Sequence, residues 1–125
     1  MREILFRGKR IDNSEWVEGC LTRYSGYMSY ITADLIEYEV FETLTESVGQ
    51  YTGLKDKNGK RIFEEDIAKV NISGKTVIRE IKFEYGSYGI DGLYPASFIP
   101  FCNILSDCIE IVGNRWDNPE LLEVE

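Results

Sequence analysis

The chain contains no histidine. That absence removes the commonest general base at neutral pH and the commonest metal-binding side chain. Cysteine is scarce. Cys20, Cys102 and Cys108 are odd in number, and no two form a CxxC pair. This argues against a disulfide framework and a zinc knuckle, and for reduced, packed thiols in a cytosolic compartment. No cation is adjacent in sequence to any of the three, so the sequence offers no activated cysteine nucleophile. No Asp-rich loop of the EF-hand kind is present. No apolar run approaches the ~20 residues of a membrane span, and "MREILFRGKR" has no apolar core for a signal peptide. Positive charge is in deficit: 14 Lys and Arg stand against 22 Asp and Glu, giving a net charge of −8 and a pI near 4.6. Such a chain repels phosphate backbones on average, which argues against general nucleic-acid binding unless one face is strongly segregated.

What is abundant is aromatic. The chain has 8 Tyr, 6 Phe and 2 Trp, and 43% of its 125 residues are hydrophobic. One domain over residues 1–125 is expected, burying roughly two thirds of its unfolded surface without need of a metal or disulfide. Aromatic and β-branched residues lean toward strands.

Periodicity supports this. In "REILFRG", Glu3, Leu5 and Arg7 alternate with Ile4 and Phe6, a strand at period two. Trp16 and Val17 lead a second apolar run, and Ser25-Gly26 marks a hairpin turn. Residues 32–47 satisfy both strand and helix spacing, and the β-rich surroundings tip the reading to strand. Asn58-Gly59 carry the residues of a type I′ turn, in which both central positions need positive φ. A short turn at Glu64, Glu65 and Asp66 leads into the strand "DIAKVNI", and Ser73-Gly74 make the next turn. "KTVIREIKFEY" reads as one strand with Val77, Ile81, Phe83 and Tyr85 on a common face. Gly86, Gly89 and Gly92 suggest a bent loop, and the prolines of "YPASFIPF" an extended segment. "DCIEIVG" is a last strand with Ile109 and Ile111 inward. "NRWDNPELL" closes as a short helix capped by Asn118 with Pro119 at its first position. Many short strands and little helix imply a mainly β chain, a small barrel or roll with short helical turns.

Three sets of side chains stand out as candidates. The run Lys55, Lys57, Lys60, Arg61 is basic, with Asp56 its one acid; it reads as a solvated hairpin that keeps an edge from pairing, and as an interaction surface if it binds anything. It lacks the glycines and helix of a phosphate loop. Tyr24, Tyr27 and Tyr30 could stack bases, but an interface or core use fits better, as does an anchoring role for Trp116. Glu64, Glu65 and Asp66 could supply paired carboxylates, though neighbours on a turn usually all reach water. Asp66 is the exception: placed before a strand, its carboxylate can accept backbone N–H bonds from the preceding turn.

"MREILFRG", "VGQYTGLKDKNGKRIFEEDI" and "IVGNRWDNPELL" together resemble the YopX-like family of phage and prophage proteins. The resemblance implies an SH3-like barrel core with added N-terminal strands and a cytoplasmic setting in a bacterial host, and implies no catalytic residues. The family's middle block usually ends Glu-Gly-Asp-Ile, and Glu65 stands here where the Gly would be. A Glu tolerates positive φ poorly. The expected function is therefore non-catalytic binding, to a protein partner or in a homo-oligomer, with no cofactor, metal or membrane. The alternatives are a nucleic-acid accessory protein using Lys55–Arg61 and, more weakly, a carboxylate-based hydrolase.

Overall fold

The computed structural model describes residues 3–26, 28–34, 39–92, 97–101, 104 and 106–123. The chain divides into two compact units, Met1–Gly53 and Leu54–Glu125. Both are built from antiparallel strands with short 3-10 turns, as the composition requires. No closed barrel forms among the described residues; the strands make open sheets.

In the first unit the strands are β1 (Phe6–Lys9), β2 (Trp16–Ser25), β3 (Met28–Asp34), β4 (Glu39–Leu44) and the start of β5 (Gly49–Lys55), in the order β4-β3-β2-β1-β5. The ambiguous segment is strand where it is described, followed by a 3-10 turn at Thr45–Ser47; residues 35–38 lie outside the described set. A single bridge, Arg10 to Thr43, links the chain after β1 back to β4. Ile31 and Tyr51 are buried, but much of this core is hydroxyl. Ser29 and Thr45 share a hydrogen bond of 2.6 Å, and Thr43 and Thr45 donate to the carbonyls of Ser29 and Ser25. Hydroxyls so placed satisfy each other and the backbone, which is what makes their burial tolerable.

The opening strand departs from simple alternation. Ile4 is exposed while Arg7 is 8% exposed. β1 lies between β2 and β5, and Arg7 stacks its guanidinium 4.7 Å from the Trp16 ring centroid. The ring accepts the cation that the strand carries inward.

The second unit contains β6 (Arg61–Phe63), β7 (Asp66–Ile72), β8 (Lys75–Glu80), β9 (Lys82–Glu84), β10 (Ser87–Asp91), β11 (Phe98–Pro100) and β12 (Ile109–Asn114). Apart from β6, which neighbours β5, they form two three-stranded sheets, β12-β7-β8 and β11-β10-β9. Ile62, Ala68, Val70, Ile81, Ile90, Phe101, Ile109 and Ile111 make the core, so the inward reading of Ile109 and Ile111 holds.

The long strand expected over 75–85 is broken. Ile81, 1% exposed, donates its N–H to the carbonyl of Asp66 and accepts from Glu65 N–H. That bend ends the common face: Phe83 is 55% exposed and Tyr85 86%. Tyr85 and Gly86 both have positive φ, as do Ser73 and Gly74, so these pairs make the two-residue turns. The glycine-marked loop is instead strand β10. Gly89 is glycine because a Cβ there would sit 2.3 Å from the carbonyl oxygen of Ile99 on the neighbouring strand. "YPASFIPF" is extended at Phe98–Pro100, and residues 93–96 lie outside the described set.

Candidate functional site

The basic run is a hairpin turn organised from inside by its one acid. Asp56 is buried. Its Oδ1 accepts from the N–H groups of Asn58 and Lys60, each at 2.9 Å, and its Oδ2 accepts from Ile111 N–H on β12 at 2.9 Å. Asp56 N–H donates to Lys60 C=O, and Gly59 N–H to Asp56 C=O. A further bond runs from Lys57 N–H to Ile109 C=O. Asp56 and Lys57 thus tie the turn to Ile109 and Ile111 of β12, and Asp56 in turn holds the tip.

Only Gly59 has positive φ, at 81°; Asn58 does not. The type I′ expectation is therefore corrected. Lys57, Asn58 and Gly59 form a three-residue loop, a type I turn closed by a left-handed glycine. The short Asp56 side chain imposes it by bonding the amide two residues on, a geometry that a type I′ turn would lose. Open space surrounds Gly59, so substitution there is penalised by conformation alone. Gly59→Val should lower stability by roughly 1–3 kcal/mol, read from a denaturant midpoint. Lys57→Ser with Lys60→Ser should stay within about 0.5 kcal/mol of the parent in the same titration.

Burial alone would push the Asp56 carboxyl up, but the bonds from Ile111, Lys60 and Asn58 outweigh it and hold the group below its ordinary 3.8. Asp56 therefore stays ionised and turned inward. The four cations of the run, Lys55, Lys57, Lys60 and Arg61, are exposed. Lys57 Nζ lies 3.5 Å from Glu110. Beside it an open groove of about 180 Å³ is lined by Lys57, Lys69, Asp107, Cys108 and Glu110 among others.

The acidic triplet is divided among different tasks. Asp66 is buried and accepts Phe63 N–H at 2.8 Å, the turn-closing role expected for it. Glu65 does adopt positive φ, at 69°, despite its side chain. Its carbonyl accepts Arg115 N–H and its Oε1 accepts the Trp116 indole N–H at 3.2 Å. Burial pushes the Glu65 carboxyl above its ordinary 4.5, and the Trp116 bond and Arg115 charge only partly offset this. A folded carboxyl held upward favours folding below its unfolded value, and that advantage is lost as pH rises through the folded value. Glu65→Gln keeps an acceptor for Trp116 without the charge. It should melt above the parent at pH 7 and lose that margin in melts run below pH ~4.5.

Trp116 is half-buried, and the closing 3-10 turn, Pro119–Glu123, packs against β8. Asn118 does not cap it as expected. Its Oδ1 accepts Asn114 N–H at 3.2 Å, while Asn114 Oδ1 accepts the N–H groups of Trp116 and Asp117. The tyrosines do not form one platform. Ladder register puts Tyr24 opposite Ser29 and Tyr30 opposite Arg23, so they lie on opposite faces of the β2-β3 hairpin. Tyr27 lies outside the described residues.

The cysteines are only partly packed. Cys20 and Cys108 are free thiols, but Cys20 is exposed on β2 and Cys108 half-buried; Cys102 lies outside the described residues. A thiol-reactive dye should label Cys20 in native protein within the mixing phase, whereas Cys20→Ser should remove that phase. Among the described residues no cluster of three or more His, Cys, Asp or Glu could hold a metal, and no helix is long and apolar enough to cross a membrane.

The YopX protein family model matches residues 5–123. The chain belongs to the YopX family. This YopX-family fold is similar to the crystal structure of protein EF1440 from Enterococcus faecalis, with 25% identity, a TM-score of 0.62, and coverage of 98% of this chain and 99% of that one. A search of curated proteins gave no match. The Asp56 anchor was the element sequence reasoning missed. Its signal was present: a single acid, two residues before Asn-Gly, is a common Asx-turn former.

Proposed function

We propose that this YopX-family chain is a phage- or prophage-encoded protein of the bacterial cytoplasm that works by binding another protein, or copies of itself, rather than by catalysis. The observation that carries the reading is the burial of Asp56. A carboxylate spent on three backbone N–H groups pins the turn and leaves a surface hairpin whose exposed charges are Lys55, Lys57, Lys60 and Arg61. A pinned surface loses little conformational entropy on binding. The carboxylates of the triplet support the same reading, since Asp66 is committed to the backbone and Glu65 to Trp116.

The test is affinity capture from infected host lysate with the wild type and with Lys55→Glu/Lys60→Glu. The reading expects a protein held by the wild type and released by the folded variant. Equal retention by both would contradict a role for the hairpin. The same burial of Asp56 also favours a second reading, nucleic-acid binding through the hairpin, because it removes the one acid from the run's exposed surface. Phosphate contacts by these cations would give an affinity for random DNA that falls steeply and log-linearly with salt. A flat or unmeasurable dependence would dismiss it.

A further inference from the structure

We infer that a second copy of this chain pairs with it along the open edge of β9, antiparallel and two-fold symmetric about Phe83. The contact goes beyond the hairpin reading above and uses none of its residues. β9 is the outer strand of the sheet β11-β10-β9. The turn that joins it to β10 has two residues, Tyr85 and Gly86, both at positive φ, so Glu84 and Ser87 are the hydrogen-bonded closing pair. Antiparallel ladders alternate, which makes Phe83 and Tyr88 a non-hydrogen-bonded pair. The N–H and C=O of Phe83 therefore point away from β10, toward the edge. Ile81, two residues earlier and of the same parity, directs its own N–H and C=O away from β10 too, to Asp66 C=O and Glu65 N–H.

Edge strands are commonly blunted by charges that an incoming strand cannot meet. This edge carries charges that its own copy meets. In antiparallel pairing centred on Phe83, Lys82 stands opposite Glu84 of the second copy, and Glu84 opposite that copy's Lys82, so both pairs attract. Glu84 is exposed. Lys82 is half-buried and bonds Asp91 at 2.9 Å, with further ammonium N–H groups to offer. On the opposite face Phe83 is 55% exposed, and its ring meets that of Tyr88 edge-on with centroids 4.9 Å apart. Tyr88 packs against the core. Pairing sets the two Phe83 rings side by side and continues the row from one Tyr88 to the other, covering an aromatic rim that a single copy leaves in water. Tyr85, 86% exposed, falls at each end of the new ladder. The ladder is three residues long and takes the same edge from both copies, so association closes at two and depends on concentration.

Sedimentation of the full chain across a concentration series tests this, with each variant first shown to melt like the wild type at dilution. The wild type should pass from monomer to dimer as concentration rises. Phe83→Pro removes the outward N–H at an edge position, where proline is tolerated, and should stay monomeric. Lys82→Glu and Glu84→Lys should each raise the dissociation constant about tenfold or more, because both symmetric pairs turn repulsive. An equimolar mixture of those two single variants should dimerise again, since Glu at position 82 then faces Lys at position 84. A wild type that is monomeric throughout, or a dimer indifferent to Phe83→Pro and Glu84→Lys, would overturn the inference. So would a dimer broken by Lys55→Glu/Lys60→Glu and not by Phe83→Pro, which would hand self-association to the hairpin. A monomeric wild type whose lysate partner is released by Phe83→Pro would give the edge to a different protein and overturn the copy-to-copy contact, leaving the hairpin reading to its own variant.

Discussion

Asp56→Ala is expected to lower folding stability by about 3–5 kcal/mol, the largest effect of any single substitution in the hairpin. It strands the N–H groups of Asn58, Lys60 and Ile111, all bonded to the carboxylate at 2.9 Å. Each buried donor left unpaired costs roughly 1–3 kcal/mol, less where water can reach it. Ile111 is the least able to find water, since it belongs to the core. Asp56→Asn should cost less, because one amide oxygen still accepts. The loss also has a pH signature. The folded carboxyl is held below 3.8, so its contribution is fully present above that value and fades as pH falls through the lower folded value. Equilibrium denaturation at pH 7 and in acid should therefore show the wild type converging on Asp56→Ala as pH falls. A gap that stays constant would contradict the role given to the charge.

Truncation after Gly113 should cost roughly 2–4 kcal/mol. It removes Asn114, which pairs with Asp66, and Arg115, whose N–H satisfies Glu65 C=O. It removes Trp116, whose indole bonds Glu65, and the Pro119–Glu123 turn beside β8. Glu65 would keep its positive φ without the contacts that hold it there, so the loss should exceed that of Trp116→Ala alone. Calorimetry of both forms tests this. An unchanged melt for the truncated chain would show that the segment does not anchor to its own unit.

Much of the strand pattern was legible, because Ile109, Ile111 and the run around Val70 alternate as half-buried strands must. The turn at Asn58-Gly59 was placed correctly but mistyped. Its geometry is decided by Asp56, and Asp56 is held by Ile111, 55 positions away in sequence. No local pattern reports such a partner. Phe83 and Tyr85 were misplaced for a related reason: period-two parity survives only in an unbroken strand, and the break at Ile81 is imposed by Glu65 and Asp66. The inward role of Asp66 was readable, since the residue before a strand can close its own turn. The separation of Tyr24 from Tyr30 was readable too, because the expected hairpin at Ser25-Gly26 fixes their parity. Arg7 was not: its burial depends on Trp16, on the adjacent strand.

The central claim is that Asp56 turns a basic run into a fixed, cationic surface turn. Amide hydrogen exchange measured residue by residue tests it most directly. The account predicts that the N–H groups of Asn58, Lys60 and Ile111 exchange far more slowly than free chain in the wild type. In Asp56→Ala, Asn58 and Lys60 should approach the free-chain rate while buried Val70 stays protected. Free-chain exchange at Asn58 and Lys60 in the wild type would contradict it.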